Sequence, residues 1–229
     1  MAVARPPGLV LIDIEGTTTA IAFVHSTLFP FAAAALTEFL ALHGQVPEVA
    51  AILREVPAPA EATLRGWMAA DVKATPLKAL QGIIWRQGYA DGRLRGHLWP
   101  DVAPALRAWN AGGHGLAVYS SGSEEAQRLL FGFSEAGDLS PLFRRFFDTR
   151  MGGKREAASY ASIAATLGLS PAGILFLSDV AEELDAARDA GLTTCQLVRA
   201  GDGTVASGRH PVARDFDDVA SLNGLPSAI

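Results

Sequence analysis

The stretch Gly8-Leu9-Val10-Leu11-Ile12-Asp13-Ile14-Glu15-Gly16-Thr17-Thr18 decides how this chain reads. Leu9 to Ile12 is a short apolar run rich in β-formers. Acids and a glycine end it. That pattern predicts a strand buried on both faces, as in a parallel sheet. Open α/β sheets bind ligands at the carboxyl ends of their strands. Asp13 and Glu15 therefore stand, two residues apart, where chemistry usually happens. A carboxylate there can act as nucleophile, metal ligand or proton carrier. An isolated Asp-x-Glu more often forms only a polar turn that caps the next element, so its meaning depends on the rest of the chain.

Downstream, apolar residues recur first at helical spacing. Leu28, Ala32, Ala35, Leu36, Phe39 and Leu40 predict a helix, closed by His43-Gly44. Residues 17–26 show no clear period. Pro47, Pro57 and Pro59 punctuate a further region of short helices. Trp67, Met68, Leu77, Leu80, Ile84 and Trp85 continue the helical spacing and suit the core of a helical subdomain. From Asp101 onward the period alternates. Helices are expected over residues 102–111, 123–133, 156–167 and 181–190. Strands are expected over residues 116–119, 146–148, 174–177 and 192–198, and a loop over 199–214. Alternating strands and helices imply a parallel sheet with helices on both faces. The expected fold class is α/β: a Rossmann-like parallel sheet with an all-helical insertion after the first strand. The core would comprise residues 1–19 and 99–229, and the insertion residues 20–98. Such an insertion at the active edge of a sheet is a natural lid for a small substrate.

Composition narrows the function. The chain has 229 residues, 49% hydrophobic and 19% charged, which is ample for a core plus an insertion. Its net charge is −5, with no basic run, which argues against nucleic acid as a partner. An acidic balance still permits a phosphorylated substrate, because a bound divalent cation reverses the local field. The single cysteine, Cys195, lies in an expected strand and reads as a buried, inert thiol. With no internal disulfide possible, the chain suits a reducing compartment. No signal peptide is recognised and no apolar stretch approaches the length of a membrane span, so a cytoplasmic protein without a membrane partner is expected, and a monomer.

Three more strand ends carry polar residues. Tyr119 precedes Ser120-Ser121-Gly122-Ser123-Glu124. Ser123 suits an N-cap, while Ser120 and Ser121 could face an anion. Lys154, after Met151-Gly152-Gly153, is expected to open the helix ending at Leu167. A lysine there opposes the helix dipole, and beside a phosphate it would supply a point charge. Asp179 follows Leu175-Phe176-Leu177-Ser178, with Glu182, Glu183 and Asp185 behind it. Asp179 beside Asp13 would make an oxygen-rich site suited to Mg²⁺.

The order strand-Asp-x-Glu, strand-Ser, Lys, strand-Asp resembles the haloacid dehalogenase superfamily of phosphotransferases over residues 8–18 and 100–198. The likeness sharpens outside those motifs. Asp13-Ile14-Glu15-Gly16-Thr17-Thr18, Leu28-Phe29-Pro30, Lys73-Ala74-Thr75-Pro76-Leu77-Lys78, Leu80-Gln81-Gly82, Trp85-Arg86 and Tyr119-Ser120-Ser121-Gly122-Ser123 are similar to the enolase-phosphatase, or acireductone synthase, family. This resemblance implies a bifunctional, Mg²⁺-dependent enzyme of methionine salvage. It would enolise 2,3-diketo-5-methylthiopentyl-1-phosphate and then dephosphorylate it to the acireductone 1,2-dihydroxy-3-keto-5-methylthiopentene. It also implies residue roles. Asp13 is the phosphate-accepting nucleophile and Glu15 the general acid/base. Ser120, Ser121 and Lys154 bind phosphate. Asp13, Asp179 and the backbone carbonyl of Glu15 hold Mg²⁺.

To do both proton transfers Glu15 would need a pKa raised toward the working pH. Another phosphomonoesterase of the superfamily is the nearest alternative. A phospho-accepting receiver module also combines Asp, Ser or Thr and Lys on a parallel sheet, but has no need of a helical insertion.

Overall fold

A computed structural model describes residues 6–72 and 74–228. Lys73, at the head of the stretch Lys73-Ala74-Thr75, lies outside the described residues. The chain forms two compact units, Met1–Ile21 with Gly96–Ile229, and Ala22–Arg95.

The first unit is built on a six-stranded sheet in the order β3-β2-β1-β4-β5-β6. Its strands are β1 (Leu9–Ile12), β2 (Gly115–Tyr119), β3 (Phe143–Phe147), β4 (Ile174–Ser178), β5 (Thr193–Leu197) and β6 (Val212–Ala213). All five pairings are parallel. β1 sits centrally, with Ile12 level with Val118 on one side and Leu177 on the other. Every residue of β1 is fully buried, as the unbroken apolar run requires. The strand order reverses between β1 and β4, the crevice where doubly wound sheets bind ligands. Asp13 and Asp179 follow the two strands that flank that crevice.

One face of the sheet packs Leu9, Leu11, Tyr119 and Phe176 against Tyr160 and Ile163 of α8 (Ala157–Leu167) and Leu184 and Ala187 of α9 (Ala181–Asp189). The helix α6 (Val102–Ala111) packs against β2, and its Trp109 stacks on Phe216 of α10 (Phe216–Asn223) at 5.1 Å. The segment expected as a loop over residues 199–214 holds more structure than that. It contains a short 3-10 turn at Ala200–Asp202 and the edge strand β6. Two residues are too few for a periodic signal, so β6 is visible only through its pairing with β5.

The second unit is helical, with α2 (Phe29–His43), α3 (Pro47–Arg54), α4 (Ala60–Ala69) and α5 (Thr75–Ala90). Its core collects Ala32, Leu36, Phe39, Val49, Leu64, Leu77, Leu80 and Ile84. Trp67, Met68 and Trp85 pack against it, and the Trp85 indole donates to the Leu28 carbonyl at 2.8 Å.

Residues 17–26 depart from the sequence reading. A helical turn, α1 (Ile21–Phe23), and a π-helical turn (Val24–Leu28) run straight into α2. The result is a 23-residue helical run, Ile21–His43, containing an 18-residue window of mean hydropathy 1.3, long and apolar enough to cross a membrane by length and composition alone. This corrects the expectation that no apolar stretch reaches that length. The π-turn breaks the 3.6-residue period, so the run is hidden from a periodicity search. Its Ala32, Leu36 and Phe39 are occupied in the helical core.

Candidate active site

The chain turns sharply after β1. The Ile14 carbonyl accepts from the backbone N–H groups of Thr17, Thr18 and Thr19 at 3.2, 2.9 and 3.0 Å, and Gly16 N–H donates to the Thr19 carbonyl at 2.9 Å. Gly16 has φ +71°, and a Cβ on it would collide with the Asp179 carboxylate. Only glycine brings this turn beneath Asp179 without strain.

Asp13 is 5% exposed. Its Oδ1 accepts from Ile14 N–H at 2.7 Å and from Lys154 Nζ at 2.7 Å, and its Oδ2 accepts from the Ser178 hydroxyl at 3.2 Å. Lys154 also reaches Glu183 Oε2 at 2.6 Å. The Ser178 hydroxyl lies 3.0 Å from Glu183 Oε2 and accepts from Val180 N–H at 3.1 Å. Asp13, Lys154, Ser178 and Glu183 thus form one cluster, with Asp13 and Ser178 buried and Lys154 and Glu183 half-buried. Burial pulls the Lys154 ammonium down, but the Asp13 and Glu183 carboxylates outweigh it and hold its pKa above the ordinary value. One ammonium cannot neutralise two carboxylates. Burial first, and the Asp13 charge second, push Glu183 up to about 7.

Lys154 reaches the cluster from a turn. It precedes α8 rather than opening it. The Tyr160 hydroxyl donates to the Lys154 carbonyl at 2.7 Å and the Ser159 hydroxyl to the Gly153 carbonyl at 2.9 Å, which holds the turn ahead of the helix. The dipole argument for Lys154 therefore gives way to a simpler one: its charge is balanced by two carboxylates.

Asp179 is also raised, to about 7, by burial and then by the nearby Asp13 charge. Its Oδ1 is buried without a hydrogen-bond partner. A partnerless buried carboxylate oxygen beside a second carboxylate is a costly arrangement unless a cation joins them. The donor set fits Mg²⁺, which takes one or two carboxylates and completes its shell with carbonyls, waters and phosphate. Among the described residues no three His, Cys, Asp or Glu side chains gather as a metal cluster.

The remaining expected residues occupy the same sheet edge. Ser120, 3% exposed, follows β2, and its backbone N–H donates to the Phe147 carbonyl at 3.2 Å. Ser121 is exposed on the turn. Ser123 caps α7 (Glu124–Gly132) by accepting from Ala126 N–H at 3.2 Å. Glu15 is half-buried in the turn, and its backbone bridges to Thr19. The buried Gln127 amide donates to the Gly122 and Phe147 carbonyls, both at 2.8 Å, and so braces the serine turn. The sequence reading assigned no role to Gln127, Ser178 or Glu183. The signal for Glu183 was its place in the acidic first turn of the helix that directly follows Asp179. Cys195 is buried, and burial pushes its thiol up to about 12, as an inert thiol requires.

The haloacid dehalogenase-like hydrolase family profile matches residues 7–191. The Enolase-phosphatase E1 of Granulibacter bethesdensis is 60% identical, over 97% of this chain and 99% of its own length. The chain belongs to the enolase-phosphatase E1 family of haloacid dehalogenase-like hydrolases. The Enolase-phosphatase E1 of one Pseudomonas aeruginosa strain is 55% identical over 92% of this chain and 96% of its own. Among solved structures, the UTR4 protein of Saccharomyces cerevisiae superposes with a TM-score of 0.82 at 32% identity, covering 92% of this chain and 99% of that one. The CbbY protein of Rhodobacter sphaeroides, solved with phosphate, shares the fold at TM-score 0.62 and 19% identity, covering 92% of this chain and 95% of its own.

Proposed function

We propose that this family member is the Mg²⁺-dependent enolase-phosphatase of methionine salvage, converting 2,3-diketo-5-methylthiopentyl-1-phosphate to 1,2-dihydroxy-3-keto-5-methylthiopentene and phosphate. The observation that carries the reading is Asp13. Its carboxylate sits at the central strand end, oriented by Ile14 N–H, Lys154 and Ser178, beside the partnerless oxygen of Asp179.

In this reading Asp13 attacks phosphorus and carries the phosphoryl group as an aspartyl phosphate. Lys154 and Ser178 orient the nucleophile and fix which oxygen is presented. Ser120, Ser121 and the backbone N–H groups of their turn receive the phosphate oxygens, together with Lys154. Phosphoryl transfer needs mainly positioning and charge, and this rigid cradle supplies both. Glu15 gives its proton to the departing oxygen, then takes one from the water that hydrolyses the intermediate. Asp13, Asp179 and the Glu15 carbonyl would hold Mg²⁺, which supplies neutralisation of the phosphate charge when bound. The reading extends to a monomer in the cytoplasm, which the lone buried thiol suits.

The test is incubation with the diketo phosphate and Mg²⁺, following enol absorbance and phosphate release together. One phosphate per enol formed is expected. Phosphate release from simple esters with no enol would make the chain an ordinary phosphatase, and no turnover at all would overturn the reading.

A further inference from the structure

Arg199 belongs to none of the motifs at the strand ends, yet it is the most fully engaged side chain near the nucleophile turn. It is 5% exposed. Its Nε and Nη2 both donate to the Thr17 carbonyl, at 3.0 and 2.8 Å. Its Nη1 donates to both oxygens of Asp101 at 2.9 Å and to the Arg214 carbonyl at 3.4 Å. The guanidinium lies 5.6 Å from the Trp99 ring and 5.4 Å from that of Phe216. Asp101 in turn accepts from Phe216 N–H at 2.8 Å. Every bond fixes the group in place, and the planar fork on one carbonyl is a geometry that lysine cannot copy.

The grip falls on the turn that matters. Thr17 follows Gly16, the residue packed directly beneath Asp179. Three residues after Arg199, Asp202 accepts from Ile21 N–H at 3.1 Å through Oδ1, and its own N–H donates to the Arg199 carbonyl at 3.0 Å. Between the two anchors, Trp99 N–H donates to the Thr18 carbonyl at 3.0 Å. The segment 199–202 therefore clamps the turn at Thr17 and at Ile21, and the height of Gly16 under Asp179 is set from below.

We infer that Arg199, braced by Asp101, is a positioning residue that sets the turn from Asp13 to Thr17 against Asp179 and so tunes the affinity of the pair for a divalent cation. It touches neither substrate nor reacting atoms. This rests on the reading of Asp13 and Asp179 as the metal site, but not on which phosphate ester is turned over. Loss of a residue that orients metal ligands from behind commonly costs 10- to 100-fold in metal affinity or rate.

The test uses the full chain and Mg²⁺ alone as probe. Titration calorimetry should show Arg199→Lys binding Mg²⁺ about tenfold more weakly than wild type. Its kcat for the phosphate substrate should fall about tenfold at saturating metal, with KM little changed. Asp101→Asn leaves the guanidinium on Thr17 but takes the charge and one acceptor from its brace, and should show the same pattern at smaller amplitude. Added guanidinium, well below denaturing concentrations, should restore activity to Arg199→Ala where ammonium does not. If both Arg199→Lys and Asp101→Asn fold, melt lower and yet keep wild-type Mg²⁺ affinity and kcat, Arg199 is only structural and the inference is overturned. A wild-type protein that binds Mg²⁺, loses that binding in the variants and still ignores the diketo phosphate would uphold the positioning role while sinking the proposed function.

Discussion

Glu182 and Glu183 are neighbours on one helix, and almost nothing about them is alike. Glu183 has only a 12% exposed side chain, lies 2.6 Å from Lys154 and 3.0 Å from the Ser178 hydroxyl, and is raised to about 7 by burial and by the Asp13 charge. Glu182 has a 54% exposed side chain paired with Arg209 at 3.0 Å, and it is lowered by its own backbone N–H and by that arginine. One residue of helix turns a side chain by about 100°, enough to carry it from the sheet to solvent. Asp185, on the outer network, pairs with Arg209, Arg188 and His210. The same residue type, one position apart, is a working part of the cluster or a solvated surface charge, and only its surroundings tell which.

That contrast is broken most forcefully at its centre. Asp13→Asn keeps the shape of the cluster but removes the proposed nucleophile and half the negative charge facing Lys154. Phosphate release should fall by about 10⁴-fold or more, the scale seen when a covalent nucleophile is deleted. A folded Asp13→Asn protein with substantial turnover would end the aspartyl-phosphate mechanism. Gly16→Ala comes next. It combines a left-handed φ with a collision against Asp179, so the turn or the carboxylate must move. A displacement of about 1 Å costs on the order of a hundredfold in rate. Mg²⁺ titration of this variant separates the two responses, because a shifted Asp179 weakens metal binding and a merely destabilised turn lowers only the melting temperature.

The two glutamates then test the comparison directly. Glu183→Gln leaves Lys154 with one anionic partner, and kcat should fall about tenfold, within the range for residues that orient active-site groups. Glu182→Gln breaks an exposed pair of the kind worth at most about 1 kcal/mol, and kcat should stay within about twofold. Equal losses in the two variants would mean that burial does not distinguish them.

Much of this arrangement could be read from the chain. The apolar run Leu9–Ile12 predicts the central strand that the structure shows, its acids mark the edge of the candidate site, and the helix expected over 102–111 is α6, Val102–Ala111. These elements have strong, unbroken periods and clear stops. What escaped lacks local signal. The π-turn Val24–Leu28 interrupts the helical period, and β6 is too short to alternate. Arg199 belonged to a polar stretch whose partners, Thr17 and Asp101, lie 182 and 98 residues away. Lys154 stood out for its expected place at the opening of a helix, which the structure moves to the turn before it, and its two carboxylate partners could be known only once β1, α9 and the Gly152-Gly153 turn were brought together. Local pattern finds the strand ends where chemistry collects, whereas the pairings among them are properties of the fold.

The smallest and most revealing effect concerns pH. In the metal-free protein Glu183 is raised from 4.5 to about 7 and Asp179 from 3.8 to about 7. Between those limits the folded chain holds protons that the unfolded chain has released, so stability falls as pH rises from about 4 toward 7 and levels off above it. Glu182 has the opposite sign. Its lowered pKa adds stability above 4.5 that is lost as pH falls, and solvent screening keeps that contribution slight. Each pK unit corresponds to about 1.4 kcal/mol, or roughly 3–6 °C in melting temperature for a chain of this size. In EDTA, the melting temperature of wild type minus that of Glu183→Gln should therefore decline by several degrees between about pH 5 and pH 7.5. The same difference taken with Glu182→Gln should stay flat. Adding Mg²⁺ should cancel the part due to Asp179, because a bound cation favours its ionised form, and the apparent affinity for Mg²⁺ should climb as pH passes 7. If the wild-type and Glu183→Gln curves run parallel through that window, Glu183 is ionised throughout, and the inner glutamate differs from the outer one only in exposure.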